Sequence, residues 1–170
     1  MEIRRLSIDD LPLRVEWMNN PLVYSSMHFE VPVLIDKTLE WYNRNQLRDD
    51  RVDCVFVDRN GEIVAFGGIT SINREIRKGE TYIFTNPKER HIGIGTEAMK
   101  LLCRFGFEEL GLNKLYAFTN EDNLASLHLH QKVGYEIEGR HRQEYKNAEG
   151  VMKDRYYLGY LKQNYHSKFV

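Results

Sequence analysis

The sequence predicts a single α/β domain, a mixed and mostly antiparallel central sheet flanked by about four helices. Three observations carry this. The chain has 170 residues, of which 42% are apolar and 29% charged, and that balance suits one well-packed core. No low-complexity stretch, Ser/Pro-rich linker or fixed-period repeat interrupts it, so residues 1–170 read as one domain. Apolar periodicity switches between strand-like and helix-like along the chain in the order β-α-α-β-β-β-α-β-α-β-β.

Each element has its own local signal. After an apolar-alternating start at 3–7, Asp9 or Asp10 can cap a helix through Val15, Glu16, Trp17 and Met18 that Asn19-Asn20-Pro21 then stops. A second helix is expected at 36–47, with Leu39, Trp41 or Tyr42, and Leu47 as its apolar contacts. Between them, 22–35 combines proline with aromatic and Met side chains and suits a mobile pocket wall. A hairpin follows: Cys54-Val55-Phe56-Val57 and Ile63-Val64-Ala65-Phe66 flank Asp58-Arg59-Asn60-Gly61, where Asn-Gly supplies the positive φ angles of a tight turn.

A strand at 80–85 ends before Asn86-Pro87, and a glycine-containing loop leads to a helix at 95–110 that Gly111 stops. Ala98, Met99, Leu101, Leu102, Phe105 and Leu110 give that helix a broad apolar face. A strand at 114–119 comes next, then a helix capped by Asn123 that ends near Lys132 before Gly134. Two strands, 135–145 and 151–161, complete the order.

Charge and composition exclude several functions. Lys plus Arg number 24 against 25 Asp plus Glu, a net charge of -1, so no summed field would hold a nucleic-acid backbone or an anionic membrane. The basic run Arg140-His141-Arg142 with Lys146 is interleaved with Glu138 and Glu144 and reads as a solvated strand face. The start is charged, and no run approaches the roughly 18 apolar residues that span a bilayer. A cytoplasmic protein is therefore expected. Cys54 and Cys103 lie in apolar surroundings and suit reduced core packing. His128 and His130 are two apart on a helix and face different ways, and no carboxylate or Cys cluster joins them, so no metal is expected.

The sharpest local feature is the run Arg90, His91, Ile92, Gly93, Ile94, Gly95 and Thr96, between a strand and an amphipathic helix. Glycines there let backbone NH groups approach an anion, and the helix amino end adds about half a positive charge. This is a seat for a phosphate or pyrophosphate. A P-loop is excluded because Gly95-Thr96-Glu97 lacks the Lys-Ser/Thr pair. Gly93-Ile94-Gly95-Thr96-Glu97-Ala98 satisfies the dinucleotide fingerprint as written. The intervening segment with Pro87 and the strand-rich remainder do not fit the βαβ series that the fingerprint needs.

The RxxGxG pattern after a strand that ends near a proline resembles the GNAT superfamily of N-acetyltransferases. A second signature agrees: Asn123-Leu124-Ala125-Ser126, then Leu129, Lys132, Gly134 and Tyr135, is similar to that family's NxxS/A...L...KxGF/Y stretch. Gly95-Thr96-Glu97-Ala98, Glu138-Gly139-Arg140 and the late run Lys153-Asp154-Arg155-Tyr156-Tyr157 resemble the branch of ribosomal-protein and small-molecule acetyltransferases. The resemblance implies acetyl-CoA as cosubstrate, its pyrophosphate on the NH groups from His91 to Thr96 beside Arg90. It implies a sheet splayed between its fourth and fifth strands, the pantetheine arm pairing with Ile83, Phe84 and Thr85, and Asn123 and Ser126 bonding the arm.

Amide formation needs a deprotonated amine, a polarised thioester carbonyl and a proton for the departing thiolate. Glu80 is the candidate base, at the start of the strand that would carry the acetyl group at its far end, and phosphinothricin-type relatives have a Glu there. The family usually presents a Tyr seven residues after the motif Asn, and this sequence has His130, again with phosphinothricin-type precedent. An imidazolium is a competent acid toward a thiolate. Tyr135 or Tyr82 could serve instead. For the acceptor, Trp17, Met27, Phe29, Trp41 and Tyr42 could wall a pocket, and they could equally be core. The run from Trp17 to Val23 is similar to amino-sugar nucleotide and polyamine branches, so a small-molecule primary amine is the expected partner, an amino sugar ahead of a polyamine, with a homo-oligomer admitted. N-terminal acetylation of a ribosomal protein and a non-catalytic CoA-binding module remain as alternatives.

Overall fold

The computed structural model describes residues 1–27, 30–88, 93–147 and 149–166. Its strands are β1 (Glu2–Arg5), β2 (Val52–Val57), β3 (Ile63–Asn73), β4 (Lys78–Thr85), β5 (Lys114–Asn120), β6 (Glu136–Lys146) and β7 (Met152–Leu161). They form one sheet in the order β1-β2-β3-β4-β5-β7-β6. Every pairing is antiparallel except that of β4 with β5. The helices are α1 (Leu11–Met18), α2 (Pro21–Tyr24), α3 (Ile35–Asn45), α4 (Ile94–Arg104), α5 (Leu124–Val133) and α6 (Lys162–His166). The expected fold class and element order hold, with α2 and α6 added.

The period of two along the central strands sends alternate side chains to two separate cores. Val52, Cys54 and Phe56 of β2 face α4 and α5 together with Ala98, Met99, Leu102 and Cys103. Val55 of β2, Phe66 of β3 and Phe84 of β4 face the opposite side, against Leu11 and Trp17 of α1 and Val23 of α2. At its centre Phe66 is fully buried, edge-on to Trp17 at 5.0 Å and stacked on Phe84 at 5.6 Å.

Four local readings change. Asn60 does not adopt positive φ, and only Gly61 does, at 86°. The turn is closed by the Asp58 carboxylate, which accepts from the NH groups of Asn60 and Glu62 at 2.9 Å each. Asn20-Pro21 does not merely stop α1. The Asn20 side chain accepts from the Leu22 NH at 3.0 Å and Pro21 takes the first position, where its missing donor costs nothing, so α2 begins at once. Leu47 lies beyond the end of α3 and is 91% exposed, not a packing contact. The helix after the glycine loop remains α-helical to Arg104 and then widens into a π turn over Phe105–Glu109 that buries Phe105, Gly106 and Phe107 together. A Cβ on Gly106 would stand 2.9 Å from Ile69 and 3.0 Å from Leu115, so glycine is what lets this turn sit on the sheet.

Among the described residues no helix is long and apolar enough to cross a membrane. Both cysteines are free and buried. The basic face of β6 is solvated as read, and Arg140 is tied to Asp154 at 2.5 Å and Glu121 at 3.1 Å. Removing the Phe66 ring should empty the middle of the α1–α2 core. Phe66→Ala is expected to cost about 3 to 5 kcal/mol in urea unfolding, the usual span for a fully buried Phe; a loss below about 1 kcal/mol would mean that this core does not depend on the ring.

Candidate active site

β4 and β5 run side by side for three residue pairs only: Lys78 with Lys114, Gly79 with Leu115 and Glu80 with Tyr116. Beyond them β4 keeps its other partner β3 through Thr85 and β5 keeps β7 through Asn120, so the edge of β4 over 81–85 is left open. The last link across the gap is a side chain, the Thr81 hydroxyl donating to the Tyr116 carbonyl at 3.2 Å. The cleft between the parted strands has a volume of about 420 Å³. Glu80, Ile83, Phe84 and Thr85 line it from β4, Thr119 and Asn120 from β5, Asn123, Ser126 and His130 from α5, Ser26 and Met27 from beside α2, and Arg155 from β7.

The first turn of α5 forms the cleft wall. Asn123 caps the helix, its side-chain oxygen accepting from the Ser126 NH at 3.1 Å. The Ser126 hydroxyl pairs with that of Thr119 at 3.0 Å, which ties the helix to β5 at the gap. One turn on, His130 is 5% exposed. Its Nδ1 lies 2.8 Å from the Ser126 carbonyl. A carbonyl only accepts, so Nδ1 carries the hydrogen and Nε2 presents a lone pair. That Nε2 is buried and has no hydrogen-bond partner. Burial pulls the imidazole pKa down, against the pull of the Ser126 carbonyl, so the neutral ring is the resting form near pH 7.

Glu80 is shifted the other way. Burial raises its carboxyl pKa and the charge of Arg155 opposes the rise. The two tyrosines considered as acids are committed elsewhere. The Tyr135 hydroxyl lies in the core, 2.9 Å from the Thr81 hydroxyl and 3.5 Å from Cys103 Sγ, and burial holds its pKa far above the ordinary value. Tyr82 donates to Asp53, and burial together with that carboxylate raises its pKa as well.

Of the expected phosphate seat, Arg90, His91 and Ile92 lie outside the described residues, as does Phe29 of the expected pocket wall. Gly93 precedes α4 with φ at 100°, and a Cβ built there would meet nothing within 4 Å. The position needs glycine for its backbone alone. At Gly95 a Cβ would stand 2.8 Å from a terminal methyl of Leu129, which would have to shift. Leu129 and Thr85, which Gly95 adjoins, both line the cleft, so Ile94, Gly95 and Thr96 bring the amino end of α4 to the cleft's rim. Among the described residues no three His, Cys, Asp or Glu side chains converge as metal ligands would.

Two cations, one in the cleft wall and one beside the neighbouring Phe84 ring, have no role in the sequence reading. Arg155, whose buried Nε lacks a partner, stands in the cleft wall. Arg14 occupies the buried stripe of α1 between Leu11 and Trp17 and is 5% exposed. The signal was available: Leu11, Arg14 and Trp17 share one helical face, and a cation at the middle of an apolar stripe is unusual.

Residues 1–136 match a family model described as an acetyltransferase (GNAT) domain. Over 145 residues the chain is 27% identical to a spermidine N(1)-acetyltransferase of Escherichia coli (strain K12), covering 85% of this chain and 77% of that one. An uncharacterized N-acetyltransferase, p20, of Bacillus licheniformis is 27% identical over 111 residues, covering 65% of this chain and 62% of its own. Among solved structures, a spermidine N-acetyltransferase from Vibrio cholerae in complex with CoA and spermine superposes with a TM-score of 0.92 at 22% identity, covering 97% of each chain. Two signatures in the chain, a sheet that opens between its fourth and fifth strands, and a family match over most of its length agree: the chain belongs to the GNAT family and is an acetyl-CoA-dependent N-acetyltransferase.

Proposed function

We propose that the protein carries the acetyl group of acetyl-CoA to the primary amine of a small molecule, with the reaction in the cleft between β4 and β5. The observation that carries this reading is the unpartnered, buried Nε2 of His130 on the wall of a strand edge left open, in a cleft that Glu80 also lines. Acetyl-CoA supplies the activated thioester. The open edge at Ile83, Phe84 and Thr85 suits the pantetheine arm, and Gly93, Gly95 and the amino end of α4 suit the pyrophosphate. Glu80, its pKa raised toward that of its task, takes one proton from the ammonium. His130, neutral and with a free lone pair, takes the proton that the new amide nitrogen sheds and returns it to the departing sulfur. In this sequence of steps the imidazolium forms during the reaction and is not the resting state.

The relatives named as spermidine N-acetyltransferases support a polyamine as acceptor. A second reading, a nucleotide-linked amino sugar, is favoured by the cationic side chains Arg14 and Arg155, one in each of the two cavities beside Tyr82 and Phe84. Acetyl transfer to any of these amines, followed as release of free thiol, is the test of the function. No turnover despite CoA binding would leave a binding module.

His130→Phe is expected to lower kcat about 10- to 1000-fold with little change in acetyl-CoA affinity. The pH profile gives the sign. Both Glu80 and His130 must be unprotonated, so the rate should rise with pH through the raised Glu80 pKa and the lowered His130 pKa and then stay level. An alkaline limb in the parent enzyme that vanishes in His130→Phe would contradict the neutral relay. Separately, Gly93→Val should raise the acetyl-CoA Kd at least about tenfold by calorimetry, because a branched residue resists positive φ and projects into the space left for the pyrophosphate. Affinity retained within about twofold would remove that assignment.

A further inference from the structure

A second cavity of about 540 Å³ lies on the α1–α3 side of the sheet. Tyr82, Phe84 and Met27 line both it and the cleft described above, so the two cavities adjoin where the acceptor amine would meet the open strand edge. Its inner wall holds Arg14. The guanidinium is stacked among four rings, 5.1 Å from Trp41, 5.2 Å from Phe84, 5.7 Å from Phe66 and 5.9 Å from Tyr82. Its Nη1 is buried without a hydrogen-bond partner, and among the described residues no carboxylate pairs with it. The other charges in the cavity are already balanced or lie at its mouth. Arg51 is forked onto Asp53 at 2.8 and 2.9 Å, while Lys37 and Glu30 are exposed and of opposite sign.

A buried cation without a counter-charge is expensive, and aromatic faces repay only part of that cost. A donor left unpaired inside a binding cavity is a place for a ligand's acceptor. A guanidinium among rings is also a planar fork, fixed in orientation and matched to an oxyanion. We propose that Arg14 is a specificity residue that seats an oxyanion, a carboxylate or a phosphate ester, borne by the same small molecule as the amine. This rests on the acetyl transfer proposed above and names its substrate class. A polyamine, cationic along its length, gains nothing from this cation.

The test measures kcat/KM for glucosamine, glucosamine 6-phosphate, a nucleotide-linked amino sugar, γ-aminobutyrate and spermidine. At least one oxyanion-bearing acceptor should exceed both glucosamine and spermidine by about tenfold or more, and the arm that does so tells phosphate from carboxylate. In Arg14→Met the ratio of that acceptor to glucosamine should fall at least about tenfold, through KM and not kcat. If Arg14→Met does not fold, Arg14→Lys replaces it, and loss of the fork should still lower the ratio about threefold or more. A ratio unmoved by either variant, or spermidine as the best acceptor, overturns the proposal. Should no amine react, the CoA-saturated protein is titrated with inorganic phosphate and with acetate while Trp fluorescence is followed. Saturation that weakens at least about tenfold in the Arg14 variant keeps the oxyanion seat while the acetyl-transfer reading fails; a response that does not depend on Arg14 sinks the seat as well.

Discussion

The parallel pairing of β4 with β5 stops after Glu80 and Tyr116, and most of the site's chemistry follows from that short ladder. Two twisted strands that no longer share hydrogen bonds would close on one another unless something stood between them. Here side chains of α5 and Tyr135 brace the gap. Ser126 joins the helix to Thr119 of β5, and the ring of His130 lies edge-on to Tyr135 at 4.9 Å, whose hydroxyl reaches Thr81 of β4. One connected set of side chains therefore holds both lips of the cleft. Backbone groups on the open edge of β4 face a cavity instead of a neighbouring strand, and unpaired backbone donors and acceptors need a partner.

The same burial that shapes the cleft also sets its proton states. Desolvation penalises the charged form of either kind of group, so it lifts the Glu80 carboxyl and lowers the His130 imidazole. A carboxylate and an imidazole that would otherwise differ by about two pKa units are drawn toward each other. That suits proton traffic between an amine and a thiol at neutral pH. The nearby tyrosines are moved in the opposite sense for such work, since burial holds the protons of Tyr82 and Tyr135 more tightly.

The backbone architecture was legible because it is written in short-range signals. The apolar arms beside Asn60-Gly61, the stop at Gly111 and the Asn123 cap all depend on residues within a few positions of one another. The place of Glu80 and His130 in a pattern points to them, and both line the cleft, but the protonation state of His130 is not legible in it, because it depends on a carbonyl one helical turn back and on burial that only the packed sheet provides. Leu47 failed for the opposite reason: its periodicity matched α3, and the helix ended before reaching it. Arg14 was passed over because its meaning lies in rings that come from α3, β3 and β4, far apart in sequence. Its place in the apolar stripe of α1 marks it as unusual, but the identity of those rings leaves no periodic trace.

In the proposed reaction the open edge of β4 receives the arm of acetyl-CoA as a partner strand would be received. Amide hydrogen exchange over 81–85, with and without saturating CoA, reads this directly. Exchange in that stretch should slow by about tenfold or more on binding while β2 is unchanged. Bound CoA with no added protection of 81–85 would contradict the account.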